Sequence, residues 1–147
     1  MSTPSEITSS KTLVGYGTFI TSKKWSNYSN VEVCLIKRYR RILPPGNWFP
    51  YVLPDESSQF WGLKFEVSSG QLSQLDKFEG VDTNLYYRRT IQVVLKDKSE
   101  INADIYLPTE TTVIREKLTL EMDNVDAWKF EMKKYKEIVE RFPELLL

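Results

Sequence analysis

The chain contains no histidine and a single cysteine, Cys34, so its chemistry must run on carboxylates, tyrosines, hydroxyls and backbone amides. That composition excludes serine–histidine–acid triads, cysteine–histidine pairs and histidine-ligated metals. Within one chain it also excludes a disulfide and a four-cysteine zinc site. Glu79 is the most informative carboxylate. The spacing of Leu72, Leu75 and Glu79 places all three on one face of a short helix, with Glu79 in its last turn. Burial raises a carboxylate's pKa, and a helix C-terminus carries partial negative charge, so both placements penalise an ionised side chain. A glutamate kept there is bridged by arginine or lysine, turns out to solvent, or is poised near neutrality for proton transfer.

The second candidate is Gly15-Tyr16-Gly17-Thr18 at the end of an apolar strand. Two glycines let backbone approach a ligand closely, and successive free amides bind an anion, although glycine in a strand also marks a bulge or a packing contact. No GKS or GKT follows, so this is not a phosphate loop. Tyr86-Tyr87-Arg88-Arg89 opens a strand after Glu79; its tyrosines either reach a substrate or pack as ordinary aromatics. The run Lys37-Arg38-Tyr39-Arg40-Arg41, with Trp48 and Phe49 nearby, is the one feature suited to nucleic acid. Strand alternation, however, places Lys37, Tyr39 and Arg41 opposite Arg38 and Arg40, the pattern of a solvated edge. Cys34, among apolar neighbours, reads as a buried and inert thiol.

Elements that would position these groups follow from periodicity. Lys11–Ile20 begins as a strand and is punctuated by Gly15 and Gly17. Val31–Leu43 and Phe60–Val67 are strand-like, while the proline-rich 44–54 segment favours extended, turning chain. Ser68 with Gln71 matches a capping box, and Gly80 a C-terminal stop. Alternation returns from Tyr87 to Leu107, broken by a turn at Asp97–Glu100. In the tail, Val125, Trp128, Met132, Tyr135, Val139 and Phe142 fall at spacings of three and four, predicting a helix up to Pro143. That helix lies on its own sheet or pairs with a second copy.

The fold class expected is α+β: a small mixed β-barrel of about five to seven strands with short flanking helices and a C-terminal helix. Residues 1–10 are expected as a disordered polar terminus, 11–110 as the domain, and 111–147 as a helical extension packed on it. At 147 residues, one core suffices. Twenty basic residues balance twenty acidic ones, giving no whole-molecule field to gather nucleic acid or an anionic membrane. No apolar run is long enough for a spanning helix, and MSTPSEITSS has neither the basic start nor the apolar stretch of a signal peptide. A cytoplasmic protein is expected, monomeric or dimerised through the tail.

In order, VGYGTF, NWFPYVLP, FWGLKFEV, LSQLDKFEGV, LYYRRTIQVVL and ADIYL resemble the γ-glutamyl cyclotransferase-like family, which includes γ-glutamylamine cyclotransferases. The resemblance covers roughly residues 12–108, and its most specific parts are Tyr16-Gly17-Thr18 and Leu75-Asp76-Lys77-Phe78-Glu79-Gly80. It implies a compact barrel with an internal cavity, a glutamyl-binding loop at Tyr16, Gly17, Thr18 and Phe19, and a catalytic acid/base at Glu79. It also implies a pocket tyrosine at Tyr86, with Tyr87 the alternative. Phe19 stands where the family usually has leucine, and the segment 48–60 is long for the family and suggests a lid or a loop. The implied reaction closes 5-oxoproline by intramolecular attack of the glutamyl α-amine on its γ-carbonyl, releasing an amine or amino acid, with no metal and no cofactor. The alternative is a non-catalytic module that binds a γ-glutamyl or acidic metabolite in the same cavity.

Overall fold

The computed structural model describes residues 10–147, so the expectation of a disordered terminus falls on residues that, Ser10 apart, lie outside the described ones. Five strands form: β1 (Lys11–Gly15), β2 (Ser29–Ile42), β3 (Tyr51–Val67), β4 (Tyr86–Leu95) and β5 (Glu100–Pro108). They close into a barrel in the order β1-β3-β2-β4-β5. β1 and β5 are parallel, with Leu13 opposite Asp104, and the other pairings are antiparallel. This is the mixed barrel expected. Its interior is filled by alternating side chains that include Val14, Cys34, Ile36, Val52, Phe60, Val93 and Ile105. Burial pushes the Cys34 thiol up to about 12, so it packs as a small apolar group.

The structure corrects three expectations. Residues 51–60 are neither lid nor loop but the first half of β3, which pairs with β2 from Tyr51 to Pro54 and again from Gln59. β1 pairs with β3 only between Leu63 and Val67, so Pro54 lies where β3 has one neighbour and its missing N–H breaks no ladder bond to β1. The alternation of the basic run also fails. A bulge between Lys37 and Tyr39, where Arg38 at φ +68 stands against residues 55–58 of β3, resets the faces. Lys37 and Arg38 are both exposed, whereas Tyr39 and Arg41 are both buried. Arg40, half-buried, is paired with Asp55 at 2.9 Å.

The tail is not one helix. After α1 (Thr18–Thr21) and α2 (Ser69–Phe78) in the body of the chain come α3 (Glu110–Arg115), α4 (Trp128–Met132) and α5 (Lys136–Arg141), with a 3₁₀ turn at Pro143–Leu146. Trp128, Met132, Ile138, Phe142 and Leu145 bury against Ile20, Trp25 and Leu63 on the outside of the barrel. The anticipated seam residues Val125, Tyr135 and Val139 are instead exposed. The chain breaks between Met132 and Lys136 so that each short helix follows the curved wall, a fit one straight helix would lose.

Candidate active site

Helix α2 sets Glu79. Its N-terminus is closed by the expected capping box: the Ser68 hydroxyl accepts from the Gln71 amide at 3.2 Å, and the Gln71 side chain accepts from the Ser68 amide at 2.9 Å. Its C-terminus is a Schellman motif, with Gly80 N–H donating to Lys77 and Val81 N–H to Asp76. Gly80 is at φ +70, and a β-carbon there would lie 2.7 Å from Leu85 Cδ1. Leu72 and Leu75 pack against the Leu13–Phe65–Tyr106 cluster, so the same face turns Glu79, the capping residue, inward. Among the described residues its carboxylate has no hydrogen-bond or ion-pair partner, which removes the salt-bridged alternative. Burial pushes it up to about 7, offset in part by the Lys24 ammonium.

Opposite stands the turn that follows β1. Gly15 and Gly17 are both buried. A β-carbon on Gly15 would run into the Phe19 ring, and one on Gly17 would come within 3.0 Å of Pro50 Cδ. The Phe19 ring stacks on Phe65 with centroids 4.2 Å apart. The amides of Gly17, Thr18 and Phe19 donate to no backbone carbonyl among the described residues, while the Gly17 and Thr18 carbonyls accept from Ile20 and Ser22. Tyr16 is tied at both ends: its hydroxyl donates to the Tyr106 carbonyl at 2.7 Å, and its own carbonyl accepts from Arg41 Nη1 at 2.8 Å. Burial, first, and then the neighbouring Tyr86 and Glu79 hold its phenol protonated.

Arg41 was missed by sequence reasoning, which left it as part of a solvated edge. Its side chain is 0% exposed. It makes a two-pronged pair with Asp126 through Nε and Nη2, each at 2.8 Å, and lies 4.8 Å from the Phe60 ring centroid. The third donor goes to Tyr16, so one guanidinium joins β2, the tail and the glycine turn. Nothing in the local sequence pairs positions 41 and 126. The bulge at Arg38 turns Arg41 inward.

Tyr86 and Tyr106 complete the wall. Tyr86 stacks on Tyr51 with centroids 6.1 Å apart, and burial, Tyr51 and Glu79 raise its pKa. Tyr87 is 41% exposed and does not line the cavity. The Tyr106 hydroxyl donates to Asp76 at 2.6 Å, and Arg88 joins Asp76 at 2.8 Å to Asp104 at 2.7 Å. Arg88 is therefore a tie between helix and barrel.

The structure brings Tyr16, Gly17, Thr18, Phe19, Glu79 and Tyr86 onto one cavity of about 230 Å³. That is below the roughly 300–1,000 Å³ typical of drug-sized pockets, so it suits a metabolite-sized group. Sequence reasoning missed Tyr106, Pro50 and Phe78 on its wall, and took Trp48 and Phe49 as company for the basic run and as the start of a lid or loop. Among the described residues there is no group of three or more acidic or cysteine side chains placed to hold a metal. No described helix is long and apolar enough to cross a membrane. The cavity offers one uncompensated carboxylate facing a stretch of unpaired amides: a proton acceptor beside a site for developing negative charge.

The model of the family "Gamma-glutamyl cyclotransferase, AIG2-like" matches residues 13–137, beyond Pro108 and well into the tail. No curated protein matches. Among solved structures, the chain is similar to an Arabidopsis thaliana protein known in solution, at 23% identity and a TM-score of 0.64, over 95% of this chain and 93% of that one. It is similar to an AIG2-like protein from Mus musculus, at 18% identity and a TM-score of 0.54, over 77% and 82%. It is also similar to a yeast γ-glutamyl cyclotransferase specific to glutathione, at 12% identity and a TM-score of 0.55, over 94% of each chain. At these identities the structures speak for the fold, and the family match places the chain: it belongs to the AIG2-like γ-glutamyl cyclotransferase family.

Proposed function

We propose that this family member is a cofactor-independent enzyme that converts a γ-glutamyl amide into 5-oxoproline and a free amine, with Glu79 as the acid/base. The observation that carries the reading is the unpaired Glu79 carboxylate, raised to about 7, on the same cavity as the unpartnered amides of Gly17, Thr18 and Phe19. The glutamyl end sits on the glycine turn, and its neutral α-amine attacks its own γ-carbonyl. A C–N bond forms to close the ring, and the bond to the leaving amine breaks. The proton lost by the attacking nitrogen passes to Glu79 and then to the departing nitrogen, so no water is consumed. A carboxylate near 7 both takes and gives a proton at neutral pH. The turn amides take the charge that develops on the carbonyl oxygen. Because attack is intramolecular, holding the glutamyl chain folded contributes up to ~7–11 kcal/mol.

The test is release of 5-oxoproline from γ-glutamyl amides by the wild-type protein and by Glu79→Gln. Release that disappears in the variant, with substrate affinity retained, is the expected result. Full activity in Glu79→Gln overturns the mechanism. Binding without turnover by the wild type makes the protein a binding module.

A further inference from the structure

The wall of the cavity changes character from its floor to its mouth. Glu79, Tyr16, Tyr86 and Tyr106 bring carboxylate and hydroxyl groups, whereas Trp48, Phe49 and Phe78 bring only rings and one indole N–H. Among the described residues Glu79 is the only carboxylate on the wall, and no lysine or arginine lines it. Trp48 is 73% exposed and Phe78 66% exposed, two of the most exposed large apolar side chains among the described residues. Exposed apolar surface gathered at the rim of a cavity marks a place where apolar matter binds.

Both rings are held in place. Trp48 rides a turn stiffened by Pro44, Pro45 and Pro50, with Gly46 at φ +80 and the Asn47 amide donating to the Pro44 carbonyl at 3.0 Å. The Asn47 side chain donates to the Phe49 carbonyl at 2.7 Å. Phe49 meets Trp48 edge-on at 4.8 Å and leans on Tyr51 at 5.2 Å. Phe78 ends α2 under the Lys24 ammonium, 3.5 Å from its centroid. Ordered aromatic surface presented before any ligand arrives lowers the ordering cost of binding.

Resting on the cyclotransferase reading, we infer that the amine released carries an aromatic or similarly broad apolar group, recognised by Trp48 and Phe78. To be protonated, the departing nitrogen must lie within hydrogen-bond reach of Glu79. Its substituent then starts beside Phe78, the neighbour of Glu79 in the chain, and runs out past Trp48. A substituent ending in an ammonium would set its charge against this apolar wall and the Lys24 ammonium that already covers Phe78.

The experiment compares γ-glutamyl amides that differ only in the leaving amine: the phenethylamide, the methylamide, γ-glutamyl-ε-lysine and glutathione. It reads kcat/KM for 5-oxoproline release by the wild type, and Kd for each compound with Glu79→Gln by calorimetry. The phenethylamide is expected to exceed the methylamide by at least ~10-fold in both, within the range apolar pockets discriminate. Trp48→Ala and Phe78→Ala, at exposed positions that do not threaten folding, should each shrink that ratio, and Trp48→Phe should restore most of it. Turnover without an aromatic preference, or with lysine or glutathione preferred, overturns the inference and leaves the reaction standing. An aromatic preference in Kd with no turnover of any compound does the reverse. Neither preference nor turnover removes both.

Discussion

Asp76 and Glu79 lie three residues apart around α2, and their surroundings are opposite. Asp76 takes hydrogen bonds from Arg88 Nε and from the Tyr106 hydroxyl, at 2.8 and 2.6 Å. Glu79 takes none among the described residues. One carboxylate is paired and holds helix to barrel, and the other is left largely buried without a hydrogen-bond partner, at a cost in stability. Across the cavity the same division recurs: Arg41 and Asp126 satisfy each other, and the turn amides they help to hold are left open. Paired charges build the frame, and the Glu79 carboxylate and the turn amides are left on a cavity where a ligand can pair them.

The sharpest way to break this contrast is Glu79→Gln, which removes a proton carrier while keeping size and shape. A fall of about 10²–10⁴-fold in kcat is expected, with the circular dichroism spectrum unchanged. Arg41→Met, by contrast, should act first on the frame. It strands Asp126 and frees the Tyr16 carbonyl, for a loss of about 3–5 kcal/mol in denaturant unfolding; what folded protein remains should show a raised KM, since the turn has lost its strut. Asp76→Asn sharpens the comparison most directly. A loss of about 1–2 kcal/mol with kcat within a few-fold of wild type would separate the two carboxylates of α2 by role. A fall in kcat as deep as that of Glu79→Gln would erase the distinction.

Acidity gives the same contrast without a change of fold. A carboxylate raised to about 7 by the folded state binds its proton more tightly there than in the unfolded chain. Its contribution is fully present below its ordinary carboxylate range and is lost as pH rises through about 7. Wild type should therefore be less stable than Glu79→Gln by about 1–3 kcal/mol at pH 8, and the two should converge at pH 4. On the activity side, kcat/KM should fall as pH drops below about 7, when the base is already protonated. The smallest effect is expected of Lys24→Met: it removes the one cation that lowers Glu79, and should move that acid limb upward.

Local signals were legible. Ser68, Gln71 and Gly80 announce both ends of α2 in the sequence, and the placement of Glu79 follows from them. The strands with clear alternation, β4 and β5, are equally readable. Three features were not, for physical reasons. The bulge at Arg38 has no glycine to mark it, because a non-glycine residue takes the positive φ there. β3 continues through Pro54 only because that stretch lacks a neighbour on one side, which is a matter of sheet order. The tail keeps a helical spacing, yet tertiary packing breaks it into pieces and buries Ile138 and Leu145 rather than Tyr135 and Val139. Arg41 with Asp126 is a contact between residues remote in sequence, visible only once the barrel is closed.

That closure has a consequence for how the protein is made. The parallel seam joins Val14 to Ile105, and the Tyr16 hydroxyl reaches the Tyr106 carbonyl. Contacts so remote in sequence are among the slowest to form, because the long loop between them must be closed before they contribute. On the ribosome, the glycine turn and the helix bearing Glu79 are synthesised well before β5, yet they share no cavity until that last strand has emerged and zipped onto the first. Binding competence should therefore appear late and all at once, and a nascent chain stalled before residue 100 should carry every residue of the glycine turn and Glu79 without a site.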